Sequence, residues 1–480
     1  MGRVTRERSA AMLDSPRFFF SRGDVRQLKR ALVRPAGRLH FGVPHPFVRF
    51  RLIDVVDDTL LQPHDPYASL RIPSYRWFIL STFTMTLAAQ IQGVVVSWQI
   101  YAVTHDPLSL GLIGLAEAFP YVTIALFAGH VADRQDRRVV SLASLALLVV
   151  CSVSLLLLSL GNGWRGAGLR HGNVWPFYVV IFLSGIARSF LQPARQALGA
   201  ELVPRSLYPN AVAWRSSTWQ TGAVAGPALG GLLYGFTSPS FAYAVDATLM
   251  VVALLAFGTI AYVPRGQRSL EGSVGESLRT GIEFVFREPV LLGAMTLDLF
   301  SVLLGGAEAL LPVFADQVLK AGPQGLGILR AAPAAGATLM SLYLAHRRPF
   351  RHAGRALLNA VAVFALCIIG FGLSRSFVFS LFLLAISGMA DNVSVVVRST
   401  LLQVLTPEHL FGRVSSVNAI FIGSSNELGA FESGVAARLL GTVTSVVLGG
   451  VASLSVVGIV ALRIPPLRQL GAIERIPQAA

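Results

Sequence analysis

Eight charged side chains fall inside stretches that are otherwise apolar: Glu117, Arg188, Asp298, Glu308, Asp391, Arg398, Glu427 and Glu432. A charge near a bilayer centre costs roughly 2.5–3.5 kcal/mol on insertion scales, so it is kept where it meets a partner or faces a cavity. Two kinds of chemistry follow. Arginines and carboxylates that face a cavity bind substrate charge or respond to its arrival, and a carboxyl group taken out of water can load and release a proton. By depth, Glu117, Asp298 and Glu427 are best placed for proton coupling. A structural polar contact accounts for any one of them equally simply. Asp246 lies nearer a span end and is a weaker candidate.

Arg188, Gln192 and Arg195 follow one another at i, i+4 and i+7, which puts them on one stripe of a helix. Asp391 and Arg398, seven apart, likewise share a face. Two readings stay open. Arg188 and Asp391 face a central cavity, or each pairs with a neighbour inside its own half of the chain. Gln90, Gln92, Gln99 and Gln220 suit a polar cavity wall, and Trp98, Tyr101 and Trp219 suit either ring stacking or interfacial anchoring.

The elements that must carry these residues are membrane helices. The chain has 480 residues, 53% hydrophobic and only 14% charged, with a mean hydropathy of +0.61. A soluble surface of that size needs more charge. Runs such as 139–160, 241–263, 355–373 and 443–462 reach the roughly 20 residues that a helix needs to cross a bilayer. Strand-like alternation is missing, which disfavours a barrel. The sequence predicts an all-α membrane protein of about twelve transmembrane helices in two six-helix bundles. The spans read 76–103, 109–132, 138–160, 174–203, 210–235 and 241–263, then 289–318, 323–346, 355–374, 376–405, 413–440 and 443–463.

Around them the domain plan is an extension over 1–74, a first bundle over 75–264, a cytoplasmic linker over 265–288, a second bundle over 289–465 and a tail over 466–480. The extension is arginine-rich early and acidic later. It reads either as a cytoplasmic segment lying on anionic lipid or as sequence ahead of a later true start. Arginines collect in the loop between spans two and three, in the loop between spans eight and nine, and in the linker. The positive-inside rule then puts both termini in the cytoplasm, against the lone exception of Arg165 and Arg170.

An ungapped shift of 203 residues lays Ser184 and Gly185 on Ser387 and Gly388. It also lays Arg195 on Arg398, Pro204 on Pro407, Gly226 on Gly429 and Gly231 on Gly434. The same shift lays Arg188 on Asp391, so equivalent positions carry opposite charge. Two homologous halves with a substrate path between them explain the match. Gly222, Gly226 and Gly230 recur every four residues, a spacing that lets helix backbones approach in lipid.

Two motifs and two further segments give the chain a family resemblance. Gly129, Asp133, Arg134, Arg137 and Arg138 resemble the loop signature of the major facilitator superfamily, with Asp136 where a second glycine is usual. Gly222, Gly226, Pro227, Gly230 and Gly231 resemble the superfamily's fifth-helix antiporter motif. Segments 97–101 and 426–434 are similar to the enterobactin-exporter-like branch. The resemblance implies a secondary transporter that exports a small molecule, a siderophore or a lipophilic drug, in exchange for protons through alternating access. It also implies that Asp133 docks near residues 412–414 in the outward-open state. A topological role alone for the arginines is the plainer alternative.

Other classes fit poorly. Lys29 and Lys320 are the only lysines and neither completes a phosphate loop, so ATP hydrolysis is not expected. The nine histidines show no zinc-ligand spacing, and no nucleophile elbow occurs. Cys151 and Cys367 sit in apolar runs and read as packing residues. The net charge of +15 lacks the interleaved aromatics of a nucleic-acid site. The expectation is a non-enzymatic inner-membrane protein without metal or cofactor. Its partners are a small-molecule substrate, a proton or other coupling ion, and the bilayer; it needs no nucleic acid and acts as a monomer. An importer and a transporter-like sensor or scaffold are the alternatives.

Overall fold

Proline sets where many of the helices begin. In the computed structural model, which describes residues 65–160, 174–262, 274–347 and 350–471, α1 (Pro73–Thr104) carries proline in its first turn. So do α4 (Trp175–Glu201), α5 (Tyr208–Phe236) and α6 (Pro239–Gly258). A proline there lacks only an N–H that the helix would leave unpaired, and its fixed φ already suits the turn. Between them run α2 (Pro107–Arg134) and α3 (Arg137–Leu160). Helix α1 stops at His105, which takes a left-handed conformation and donates its N–H to the Tyr101 carbonyl at 2.7 Å. The Ser238 hydroxyl accepts from the Phe241 N–H at 3.2 Å and caps α6.

A linker helix, Val274–Arg287, leads to α7 (Pro289–Gly305). Then follow α8 (Gly322–Ala345), α9 (Ala353–Leu373), α10 (Phe377–Leu405), α11 (Glu408–Leu440) and α12 (Thr442–Arg463). The described residues contain no strand. Among the described residues, nine helical stretches are long and apolar enough to span a bilayer, the seventh span counting as Pro289–Val318. Helices α5 and α11 fall short because they carry small and polar residues between the halves, and α2 is apolar over Pro107–Pro120. Residues 1–64, 161–173, 263–273 and 472–480 lie outside the described part. Most of the expected extension, and the loop with Arg165 and Arg170, fall there.

The seventh span differs from the uninterrupted helix expected over 289–318. It breaks after Gly305 and continues as a 3-10 turn (Ala307–Leu310), a short α turn (Leu311–Val313) and a π turn (Phe314–Val318). The paired glycines Gly305 and Gly306 favour a helix weakly, and Pro312 removes a backbone donor. After α12 the chain turns back. Leu467 is fully buried, and the Ala353 N–H donates to the Gly471 carbonyl at 3.2 Å.

The packing repeats. Helix α1 lies on α5 and α6 as α7 lies on α11 and α12, and α4 sits between α2 and α3 as α10 sits between α8 and α9. The halves meet where α2 crosses α11 and α5 crosses α8. Glycine makes both crossings possible. A Cβ on Gly434 would lie 2.7 Å from the Gly111 Cα, and one on Gly231 would lie 2.7 Å from the Gly327 Cα. At the same end of the bundle, Val94, Trp98, Tyr101 and Leu110 share one apolar core with Leu310, Phe314, Leu326 and Leu329. Arg438 pairs with Asp106 at 3.3 Å, and Gln317 donates to the Tyr101 hydroxyl at 2.6 Å. The two halves are therefore closed together at the end that bears the α1–α2, α7–α8 and α11–α12 connections.

Inside the second half, Gly388 is pressed against α8, where an added Cβ would stand 2.0 Å from the Pro333 carbonyl oxygen. Gly388→Val should therefore cost about 1–3 kcal/mol of stability, seen as a lower unfolding temperature in detergent. Gly258→Ala, with nothing within 4 Å of its added Cβ, should leave that temperature unchanged.

Candidate functional site

Gly185 lets α4 press on α2: a Cβ there would meet the Pro120 ring at 2.7 Å and the Glu117 carbonyl at 3.1 Å. One turn further along α4, Arg188 reaches the Glu117 carboxylate and forms an ion pair with it. Its second nitrogen donates to Gln92 of α1 at 3.4 Å. Three helices of the first half are joined at this point. Gly114, a turn before Glu117, faces α11 so closely that a Cβ would stand 2.6 Å from the Ala430 Cβ and 2.9 Å from the Glu427 carbonyl. The crossing of α2 with α11 thus brings Glu427 of the second half to the Glu117–Arg188 pair. Glu117, Arg188, Arg330 and Glu308 all act electrostatically on Glu427.

Arg330 was not singled out from the sequence, although a lone arginine in the apolar run of α8 carries the same signal as Arg188. It crosses to the first half, where it donates to the Gly93 carbonyl at 3.1 Å and lies 3.5 Å from the Ser97 hydroxyl. A Cβ at position 93 would lie in ordinary contact with its guanidinium, at 3.4 Å. Arg188 and Arg330, one from each half, therefore land on adjacent residues of α1.

A second pair lies inside the second half. Arg398 of α10 meets Asp298 of α7, and both are almost fully enclosed, with side chains 6% and 9% exposed. Asp391 shares a crevice with Asp298, Ser301, Val302, Val361, Phe364 and Ser394, all from α7, α9 and α10. The charges that act on it are Asp298, Arg398 and Glu308. Asp391 sits among charges of its own half, whereas Arg188 meets Glu117 of its own half and the field of Glu427 from the other. Glu308, exposed in the turn that follows the α7 break, acts on both Asp391 and Glu427. Glu432 is partly exposed and makes no ion pair among the described residues.

The other expected residues are distributed as follows. Asp246 is fully buried, and neither carboxylate oxygen has a hydrogen-bond partner among the described residues. Gln99 accepts from the Tyr243 hydroxyl at 2.7 Å in the first-half core, and Gln90 backs onto Gly226. Trp98 packs edge-on against Tyr234, whereas Trp219 is 52% exposed. Gly222 and Gly226 seat α5 against Thr86 and Gln90 of α1, Gly230 seats it against Ile91, and Pro227 lends its carbonyl to the crossing with α8. In the loop motif, Arg137 pairs with Glu201 at the end of α4, and Tyr262 donates to the same carboxylate at 2.6 Å. Arg138 donates to the Gly258 carbonyl at 2.7 Å, a cation at the negative end of α6. The backbone of Gly129, Asp133 and Arg134 belongs to α2, and their side chains lie outside the described part. Around Gly412, where Asp133 is expected to dock, an added Cβ would meet nothing within 4 Å.

The sequence profile of the transmembrane secretion effector family matches residues 64–480. The enterobactin exporter EntS of Shigella flexneri is 27% identical over 346 residues, covering 72% of this chain and 80% of that one. EntS of Escherichia coli O1:K1 is 27% identical over 349 residues with the same coverage. The fold is similar to that of the nucleoside transporter NupG, with a TM-score of 0.64 at 12% identity over 81% of this chain and 99% of the other. It is also similar to a bacterial homologue of the human lysosomal transporter Spinster in an inward-facing, occupied conformation. There the TM-score is 0.63 at 15% identity, covering 85% and 99% of the two chains. The protein is a multi-pass membrane protein of the transporter type.

The enclosed pair makes a clear prediction. Arg398→Gln leaves Asp298 buried without its partner and should cost about 3–5 kcal/mol. Adding Asp298→Asn should recover much of that loss. The check is the unfolding temperature of the two variants in detergent, read beside that of the unaltered chain.

Proposed function

Because the chain belongs to the transmembrane secretion effector family of the major facilitator superfamily, we propose that it exports a small molecule by alternating access, driven by a proton gradient. The observation that carries this reading is the position of Glu427. It is a carboxylate of the second half, held at the crossing of the halves beside Glu117 and Arg188 of the first. A proton taken up by Glu427 or Glu117 changes the balance of two carboxylates around one arginine. Any motion that separates α11 from α2 changes it too. That is the physical requirement for coupling a proton to a rearrangement of the halves.

The arginine-rich loops support an inner-membrane orientation with both termini in the cytoplasm. In that orientation the closed end of the bundle is the outer one, so the arrangement is inward-facing and ready to load from the cytoplasm. Asp133, with Arg134, Arg137 and Arg138 behind it, would take up its contact with α11 when the opposite end closes. The glycines and proline of α5 would keep the crossing with α8 tight against leakage. Asp298, Glu308, Asp391, Arg398 and Glu432 then line or support the path in the second half. The names of the relatives favour a siderophore as the substrate class, with lipophilic drugs the next choice.

In inside-out vesicles acidified within, adding an iron-free catecholate siderophore or a lipophilic cation should release the quenching of a pH dye, and only where the protein is present. Glu427→Gln should abolish that release, and Asp391→Asn should impair it, with folded protein retained in both. Silence across the whole panel with the unaltered chain would end the case for proton-coupled export of those compounds.

A further inference from the structure

The two halves answer one arginine differently. Arg398 is neutralised by Asp298, and its equivalent under the 203-residue shift is Arg195. The register of α7 on α1 follows from the glycines behind them. Gly226 backs onto the Leu87 carbonyl at 3.2 Å, and its equivalent Gly429 backs onto Val302 and Leu303 at 3.0 Å. Asp298 therefore corresponds to Thr82 or Phe83, and neither carries charge. Arg195, partly buried, makes no ion pair among the described residues. Its one polar contact is with the Met85 sulfur at 3.8 Å, a weak acceptor. Thr82, a turn away on α1, is 4% exposed, and its hydroxyl has no partner among the described residues. Arg215 of α5 stands at the same level of α1: Ala211 and Gly222 of α5 pack on Tyr75 and Thr86, as Gly199 and Arg195 of α4 pack on Phe78 and Met85. Arg215 too is partly buried and makes no ion pair among the described residues.

Two half-buried guanidiniums and a buried, unpartnered hydroxyl, with no acid paired to them among the described residues, call for a counter-charge. Both arginines lie within about two turns of the α4–α5 connection, some 10 Å in from the helix ends at 1.5 Å per residue. We propose that Arg195 and Arg215 form an oxyanion-binding site in the first half, taking a carboxylate or phosphate group. A guanidinium presents paired N–H groups that match such a group, and a second guanidinium beside it selects for charge rather than for a neutral acceptor. The oxyanion comes either from an acidic solute entering between the halves or from the headgroup of an inner-leaflet lipid. Nothing in this site depends on proton coupling or on the direction of transport.

The test uses the full chain in nanodiscs of phosphatidylcholine, with tryptophan fluorescence as the readout. Trp214 and the exposed Trp219 flank Arg215 on α5. Citrate and pyrophosphate are titrated as soluble oxyanions, and phosphatidic acid is introduced as a lipid fraction in separate discs. The unaltered chain should give a saturable change with one of these, weakened about tenfold or more in Arg195→Gln and in Arg215→Gln. A response to citrate or pyrophosphate identifies a solute site, and a response to phosphatidic acid alone identifies a lipid site. No saturable change with any probe, or an equal change in both variants, overturns the proposal. Stability gives an independent reading. In phosphatidylcholine alone Arg195→Gln should unfold at the same or a higher temperature than the unaltered chain, because it removes a half-buried charge that no described residue pairs. A fall comparable to that of Arg398→Gln would mean that Arg195 is already paired within the protein, and would also overturn it.

Discussion

Three arginines inside this molecule are answered by residues on other helices, and those links hold the bundle in register. Water can do little for an ion enclosed by helices, and each helix spends its own backbone polar groups on itself. Arg188 therefore ties α4 to α2 through Glu117 and to α1 through Gln92, while Arg398 ties α10 to α7 through Asp298. Arg330 does the same between the halves, spending its guanidinium on the Gly93 carbonyl. Helix α1 receives arginines from both halves at adjacent positions, which makes it the seam of the structure.

Side chains of this length meet only if the backbones come close, so the ion pairs depend on the glycines. Gly185 brings Arg188 down on Glu117, and Gly114 brings α11 to the same place. The small residues that let helices approach in lipid are thus also the ones that let charge be neutralised there. This explains why α5 and α11 are too polar to pass as simple spans. Their glycines are turned toward other helices, while polar residues such as Ser217, Thr221, Ser416 and Asn426 are exposed.

Much of this was readable from the residues alone, because long apolar runs bounded by proline and arginine leave little choice but helices across a bilayer. The repeat was readable for a similar reason: Gly226 and Gly429 keep their places because the close approach behind them is repeated, α5 on α1 and α11 on α7. Partners were much less legible. Spacing reports which face of a helix a residue shares, as for Asp391 and Arg398, but Arg398 pairs with Asp298, a hundred residues back on α7. The break in α7 was missed because Gly305, Gly306 and Pro312 are each tolerated in membrane helices, and only their combination with a turn that must clear α11 interrupts the span. Arg330 escaped notice for want of a spacing partner on its own helix, since what it touches belongs to the other half.

The two ion pairs differ in what can reach them, and the difference bears on how the molecule moves. Asp298 and Arg398 both belong to the second half and are nearly sealed, so a rigid displacement of one half against the other leaves their separation unchanged. Glu117 and Arg188 belong to the first half, but Glu427 approaches them from the second and Arg330 reaches past them to α1. If the proposed alternating access draws α11 and α8 away from the first half, Glu427 leaves the field of Arg188, and Arg330 gives up the Gly93 carbonyl. Neither loss is tolerable unless something else fills it, whether a proton, a solute or a rotamer change. The sealed pair keeps its half rigid, while the shared cluster makes the contact between halves conditional on what occupies it. Under the alternating access proposed above, the chemistry that a rearrangement of the halves would meet is at Glu427 and Arg330 rather than at Asp298 and Arg398.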